Sequence, residues 1–148
     1  MKASMSDIFI DTNVFIKIFN KEENYEKTIE CLVKIKESGW NFKISCIVHF
    51  EILWGFEIYG GNVEKYWNII REFEIDIVPL TKNDVELASK LCRSKSRIRD
   101  YFIGATVMNR NSFLLTYNVN DFKWTKRAYT PEDFIKHYCS VEKVYDSK

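Results

Sequence analysis

The chain has 148 residues, 46% hydrophobic and 16% aromatic, with only 2 prolines and 5 glycines; it is long enough to bury a core and too ordered in composition for a long disordered linker. Its 22 basic and 21 acidic residues leave a formal net charge of +1, so no global field draws it to nucleic acid or membrane, and any such partner must be read from a local patch. No apolar run approaches the roughly 20 residues of a membrane span, so no membrane partner is expected. Cys31, Cys46, Cys92 and Cys139 are scattered without a C-x-x-C pair, and His49 and His137 complete no zinc pattern. Four reduced thiols in a cytoplasmic protein are expected. Asp7, Asp11, Lys17 and Lys21-Glu22-Glu23 interrupt the opening segment, so no secretory leader is expected. The expectation is one domain over residues 1–148, with its core from about 6 to 138.

The stretch Ile8-Phe9-Ile10-Asp11-Thr12-Asn13-Val14-Phe15-Ile16 reads as a buried strand that delivers an acid to its carboxyl end. Residues 20–38 form an amphipathic helix with Tyr25, Ile29, Leu32 and Val33 on one face and Gly39 placed to stop it. A strand over Lys43 to Val48 leads into His49-Phe50-Glu51-Ile52-Leu53-Trp54-Gly55, where Glu51 is an acid in an apolar, helical run. Gly60-Gly61 breaks the chain, and Val63, Tyr66, Trp67, Ile70 and Phe73 then recur at helical spacing as core or subunit interface. A strand over Ile75 to Leu80 is followed by a helix capped by Thr81 with Asp84 at its third position, burying Val85, Ala88 and Leu91 or Cys92.

The end of that helix carries Lys90, Arg93, Lys95, Arg97 and Arg99 before any acid intervenes. The run reads either as a solvated helix end whose cations complement the dipole or as a phosphate-contacting patch. Asp100-Tyr101-Phe102-Ile103-Gly104-Ala105 opens the next helix, with Asp100 as a cap or a site residue and two small residues that let the backbone approach a sheet. Phe113-Leu114-Leu115-Thr116 is a buried strand that ends in Tyr117-Asn118-Val119-Asn120-Asp121-Phe122, polar and acidic groups just past a strand. Thr130-Pro131-Glu132-Asp133 starts a last helix with Phe134, Ile135 and Tyr138. Strands alternating with helices make this an α/β three-layer sandwich with a mostly parallel central sheet, which binds ligands beyond the carboxyl ends of its strands.

Asp11, Glu51, Asp100 and Asp121 each lie just after a strand or at the start of the helix that follows one. Four carboxylates brought to one edge repel, and either protonation or a hard divalent cation with oxygen ligands relieves this. Mg2+ or Mn2+ matches an all-oxygen set better than zinc.

These residues carry a resemblance. Ile10-Asp11-Thr12-Asn13-Val14, Ser45 through Glu51-Ile52 to Gly55, Arg99-Asp100-Tyr101-Phe102-Ile103-Gly104-Ala105, and Leu115-Thr116-Tyr117-Asn118 with Asp121-Phe122 resemble, in order and spacing, the motifs of PIN-domain nucleases, most closely the VapC-type toxins. The resemblance runs from about Ser6 to Tyr138. It implies a PIN-like sandwich, a homodimer, a cognate antitoxin that blocks the site, and metal-dependent cleavage of RNA. Asp11, Glu51 and Asp100 match the family's three acids, and Thr12, Asn13 and Thr116 its polar groups that orient ligands or water. The last motif uses the position of Asn118 or that of Asp121; Asp121 is preferred here as the fourth acid, with Asn118 assisting. Arg93, Lys95, Arg97 and Arg99 are candidate RNA contacts, and Tyr101 and Tyr117 either stack bases or fill space. Two other classes compete. A haloacid-dehalogenase-type phosphatase also places an aspartate after the first strand, but wants a second aspartate where this chain has Asn13. A PIN-like fold retained as a silent binding or dimerisation module needs no clustered acids.

Overall fold

A computed structural model describes residues 6–139. Within them, strands β1 (Asp7–Ile10), β2 (Asn41–Ser45), β3 (Asp76–Val78), β4 (Phe113–Leu115) and β5 (Ala128–Tyr129) form one sheet in the order β3-β2-β1-β4-β5. Every strand pair in it is parallel. Helices α1 (Thr12–Phe19), α2 (Tyr25–Glu37), α3 (Cys46–Tyr59), α4 (Glu64–Glu72), α5 (Lys82–Leu91), α6 (Ile98–Asn109) and α7 (Pro131–Tyr138) flank the sheet. The molecule is the expected three-layer α/β sandwich, with a wholly parallel sheet.

β1 lies in the middle because its side chains suit no other place: Ile8, Phe9 and Ile10 are all buried, as a strand covered on both faces requires. It pairs with β2 on one side and with β4 on the other. Strand order therefore reverses at β1, and the crevice beyond its carboxyl end, between β1 and β4, is the switch point where such sheets bind ligands. The ladder continues one residue past the strands, Asp11 N–H donating to the Leu115 carbonyl at 2.9 Å and Thr116 N–H to that of Tyr129 at 2.9 Å. Asp11 and Thr116 are thereby set side by side.

Several boundaries differ from the sequence reading. Val14-Phe15-Ile16, the apolar run that resumes after the acid and has no element of its own in the sequence reading, belongs to α1, whose N-cap is Asp11 itself. A strand end and a helix start meet at one acid, and periodicity alone does not separate them. β2 ends at Ser45, three residues before the expected Val48, because the Ser45 hydroxyl caps α3 by accepting the Val48 N–H at 3.2 Å. α2 starts at Tyr25 rather than 20 and buries Thr28, Cys31, Leu32 and Ile35, leaving Val33 exposed. In α5 the capping box of Thr81 and Asp84 is formed as expected, yet Val85 is exposed and Asp84 buried. Asp84 accepts from Arg110 and Asn109 of the next helical segment, so the polar contact rather than hydrophobicity sets the face of α5. The two-residue β5 has no periodicity to read.

Gly60 ends α3 at φ 82° and ψ −169°, a conformation essentially confined to glycine. The core under the sheet is aromatic: Phe9, Phe15, Phe42, Tyr66, Phe122 and Phe134 are all buried, and Phe15 meets Tyr66 edge-on at 5.9 Å. Among the described residues no helix is long and apolar enough to cross a membrane.

Candidate active site

Four separate elements bring acids to the carboxyl edge of β1. Asp11 follows β1 and caps α1, accepting the Thr12 N–H at 2.8 Å. Glu51 lies one and a half turns into α3, where Thr12 Oγ1 donates to its Oε1 at 2.5 Å. Asp100 sits in the first turn of α6, inside the helix rather than capping it, where an acid also complements the dipole. Asp121 opens a 3₁₀ turn, Val119–Thr125, beyond β4.

The first three acids converge on one guanidinium. Arg99 Nη2 donates to Asp11 Oδ1 at 2.9 Å and to Glu51 Oε1 at 2.8 Å, its Nε bonds Glu51 Oε2, and its Nη1 reaches Asp100 Oδ1 at 2.7 Å. Arg97 makes the outer link: its Nε lies 3.3 Å from Asp100 Oδ2 and its Nη2 3.1 Å from Asp121 Oδ1. Arg97 Nη2 also donates to the Asp121 carbonyl at 3.0 Å. Of the basic run, Arg97 and Arg99 thus face the acids, Arg93 donates to the carbonyls of Lys90 and Cys92, and Lys95 is exposed.

The polar residues hold Asp11 from its other side. Thr116 Oγ1 donates to Asp11 Oδ2 at 2.9 Å and accepts from Asn13 Nδ2 at 3.0 Å. Asn13 Nδ2 also donates to Asp11 Oδ2 at 3.1 Å, and Asn13 Oδ1 accepts the Tyr117 N–H at 3.0 Å. Asn118 enters through its backbone, its N–H bonding Thr116 Oγ1 at 3.0 Å, while the residue itself is exposed. Tyr117 is tied by its hydroxyl to Thr28 and Glu132, and Tyr101 stacks on Trp124 at 4.5 Å.

Asp11 is fully buried. Burial pushes its carboxyl pKa above the usual value, and the Arg99 charge with the donors from Thr116 and Thr12 offsets only part of this. Burial would in turn lower the Arg99 pKa, but bonds and charges from Glu51 and Asp11 outweigh it and keep the guanidinium charged. Four carboxylates against two guanidinium groups leave the cluster negative.

All donors turned to the crevice are oxygens, which suits a hard divalent cation and not a soft one. Among the described residues no three Asp, Glu, His or Cys side chains close on a common point as metal ligands do. Asp11, Glu51 and Asp100 instead surround the Arg99 guanidinium. The donor chemistry fits a divalent ion, while the spacing of the acids is that of an arginine fork. The part of Arg99 is what the sequence reading lacked: five basic residues in one run look alike, and only its place in the first turn of α6, one residue before Asp100, aims it inward.

A model of the PIN domain matches residues 8–127 of the chain. No curated protein matches. Among solved structures, VapBC2 from Rickettsia felis bound to a DNA fragment from their promoter is similar, with 18% identity, a TM-score of 0.64, and coverage of 84% of this chain and 98% of that one. A toxin–antitoxin complex from Klebsiella pneumoniae is similar at 20% identity and TM-score 0.60, covering 84% of this chain and 97% of that one. FitAcB from Neisseria gonorrhoeae is similar at 17% identity and TM-score 0.62, covering 84% and 98% respectively. At these identities the likeness is one of fold.

Proposed function

The chain belongs to the PIN-domain family, and from that membership we propose that it is a metal-dependent endoribonuclease, the cytoplasmic toxin of a toxin–antitoxin pair. The observation that carries the reading is the gathering of Asp11, Glu51 and Asp100, with Asp121 joined through Arg97, at the switch point of a parallel sheet. Burying Asp11 and Asp100 beside further acids costs stability, and that cost is understandable where the acids act together. Folds like those of toxins in complex with their antitoxins support an antitoxin partner for this chain. An apolar strip on α3, with Phe50, Trp54, Ile58 and Tyr59 exposed, supports a homodimer.

Asp11, Glu51, Asp100 and Asp121 would hold Mg2+ or Mn2+, which supplies Lewis-acid polarisation of a phosphodiester and of an attacking water. Thr116 and Asn13 fix the rotamer of Asp11, and Thr12 that of Glu51. Glu51, less buried than Asp11, takes the proton of the water as its oxygen bonds to phosphorus. The bond from phosphorus to the 3′ oxygen breaks, and that oxygen takes a proton from solvent. The products carry a 5′-phosphate and a 3′-hydroxyl. Arg93 and Lys95, the candidate RNA contacts that face outward, serve the RNA backbone, whereas Arg97 and Arg99 face the acids, and no histidine takes part.

The test is incubation of the protein with total cellular RNA, with and without Mn2+, and sequencing of the new ends. New 5′-phosphate ends that require Mn2+ are expected, with Asp11→Asn reducing their yield by about 10²–10³, the size of loss seen when one charge-stabilising group is removed. Full activity in a folded Asp11→Asn protein would sink the assignment. A second reading, a catalytically silent PIN module, draws on the pairing of the acids with Arg97 and Arg99. It predicts no Mn2+-dependent rise in melting temperature.

A further inference from the structure

We propose that the Arg99 guanidinium is the resident cation of the acidic cluster, and that a divalent ion takes the site only by displacing it. The inference rests on the metal-dependent reading above. All three guanidinium nitrogens are committed: Nε and Nη2 to the two oxygens of Glu51, Nη2 also to Asp11 Oδ1 and Thr12 Oγ1, and Nη1 to Asp100 Oδ1. The group lies between the three carboxylates and holds them apart, so an ion that drew them together would stand in its place. A dication and a guanidinium sharing the same carboxylates repel across a poorly solvated space.

Arg97 behaves differently. It bridges Asp100 and Asp121 at the rim but is also anchored on the Asp121 carbonyl at 3.0 Å, so it keeps a partner when the acids turn away. Among the described residues Arg99 has no such backbone anchor. Within those same residues its side chain bonds only the acids of the cluster and Thr12, and it is 36% exposed, so one edge of the guanidinium faces solvent. The consequence is a nuclease whose metal affinity is set low by its own side chain, because two ligands that exclude one another weaken each other by the same factor.

The experiment is Mn2+ titration calorimetry without RNA on the full chain, comparing wild type with Arg99→Met and Arg99→Lys. Arg99→Met should bind Mn2+ about tenfold more tightly or better, as removal of a competing ligand predicts. Arg99→Lys keeps a charge but loses the fork, and should fall between the two. Arg99→Met leaves three acids without their counter-ion, so an arm on the wild-type protein accompanies it: Mg2+ titration followed through the arginine Nε–Hε resonances. The Arg99 resonance should shift along the same isotherm as metal binding, while that of Arg97 stays closer to its starting position. Equal Mn2+ affinity in the three proteins, or an Arg99 resonance that ignores saturating Mg2+, would overturn the competition alone. Absence of Mn2+ binding in all three would overturn the metal-dependent reading and this inference with it.

Discussion

Asp11 and Asp84 are both fully buried and both face an arginine, yet their acidities move in opposite directions. Burial pushes each upward. At Asp84, two bonds from Arg110, one from Asn109 and one from the Thr81 N–H overcome it and pull the pKa down to about 2. Asp11 receives a single Arg99 nitrogen that it shares with Glu51 and Thr12, plus neutral donors, and stays raised. The signs follow. Asp84 binds fewer protons folded than unfolded, so its contribution, on the order of 2 kcal/mol, is present above pH ~4 and lost as pH falls through about 2. Asp11 binds more protons folded than unfolded, so the stability it confers declines as pH rises above its ordinary value. Urea unfolding across pH 5 to 2 should show Asp84→Asn less stable at pH 5 by roughly 2–4 kcal/mol and flatter in the acid window. Parallel curves for the two proteins would refute the role given to Asp84.

At the scale of elements, the join between α6 and the 3₁₀ turn that bears Asp121 depends on one missing methyl group. A Cβ on Gly104 would stand 2.6 Å from Trp124 Cζ2, closer still to its Cη2, and 3.0 Å from Thr125 Cγ2. Trp124 is stacked on Tyr101 and donates its Nε1–H to the Asp121 carbonyl at 3.0 Å. Gly104→Ala should therefore destabilise the protein by about 1–3 kcal/mol and displace the turn. Melting temperature and RNA cleavage should fall together, and unchanged values for both would show that the ring yields freely. The sequence told of Gly104 only that it was small and let a backbone lie close. It held no sign that the neighbour would be an indole rather than a sheet. The same limit explains α1: Asp-Thr-Asn announced an acid at a strand end, while the helix behind it was hidden because both elements are apolar. It explains Val85 too, exposed because Asp84 turns inward to Asn109 and Arg110 far along the chain. The strong local signals, Thr81 with Asp84 and Thr130 with Pro131, appear where they were read.

For the molecule as a whole, α/β alternation made the parallel sheet legible, and the sheet made the acids neighbours. What no pattern revealed was the pair of arginines between them. Facing the acids, Arg97 and Arg99 leave Lys90, Arg93 and Lys95 as the outward part of the basic run, with Arg93 and Lys95 the candidate RNA contacts among them. Under the proposed function, single-stranded RNA binding should weaken with salt at a log–log slope of about −0.7 per phosphate contact. Replacing Arg93 and Lys95 by alanine together should make that slope shallower by about 1.4, and an unchanged slope would place the RNA elsewhere. The sheet order has one more consequence, for the moment of synthesis. β1 is made before the rest of the sheet, but one of its two neighbours, β4, comes after residue 112, so that pair cannot close until the intervening chain has been made. A nascent chain on the ribosome can hold Asp11, Glu51 and Asp100 and still lack Thr116, the hydroxyl that locks Asp11, and Asp121. The site is completed only as translation of the domain nears its end.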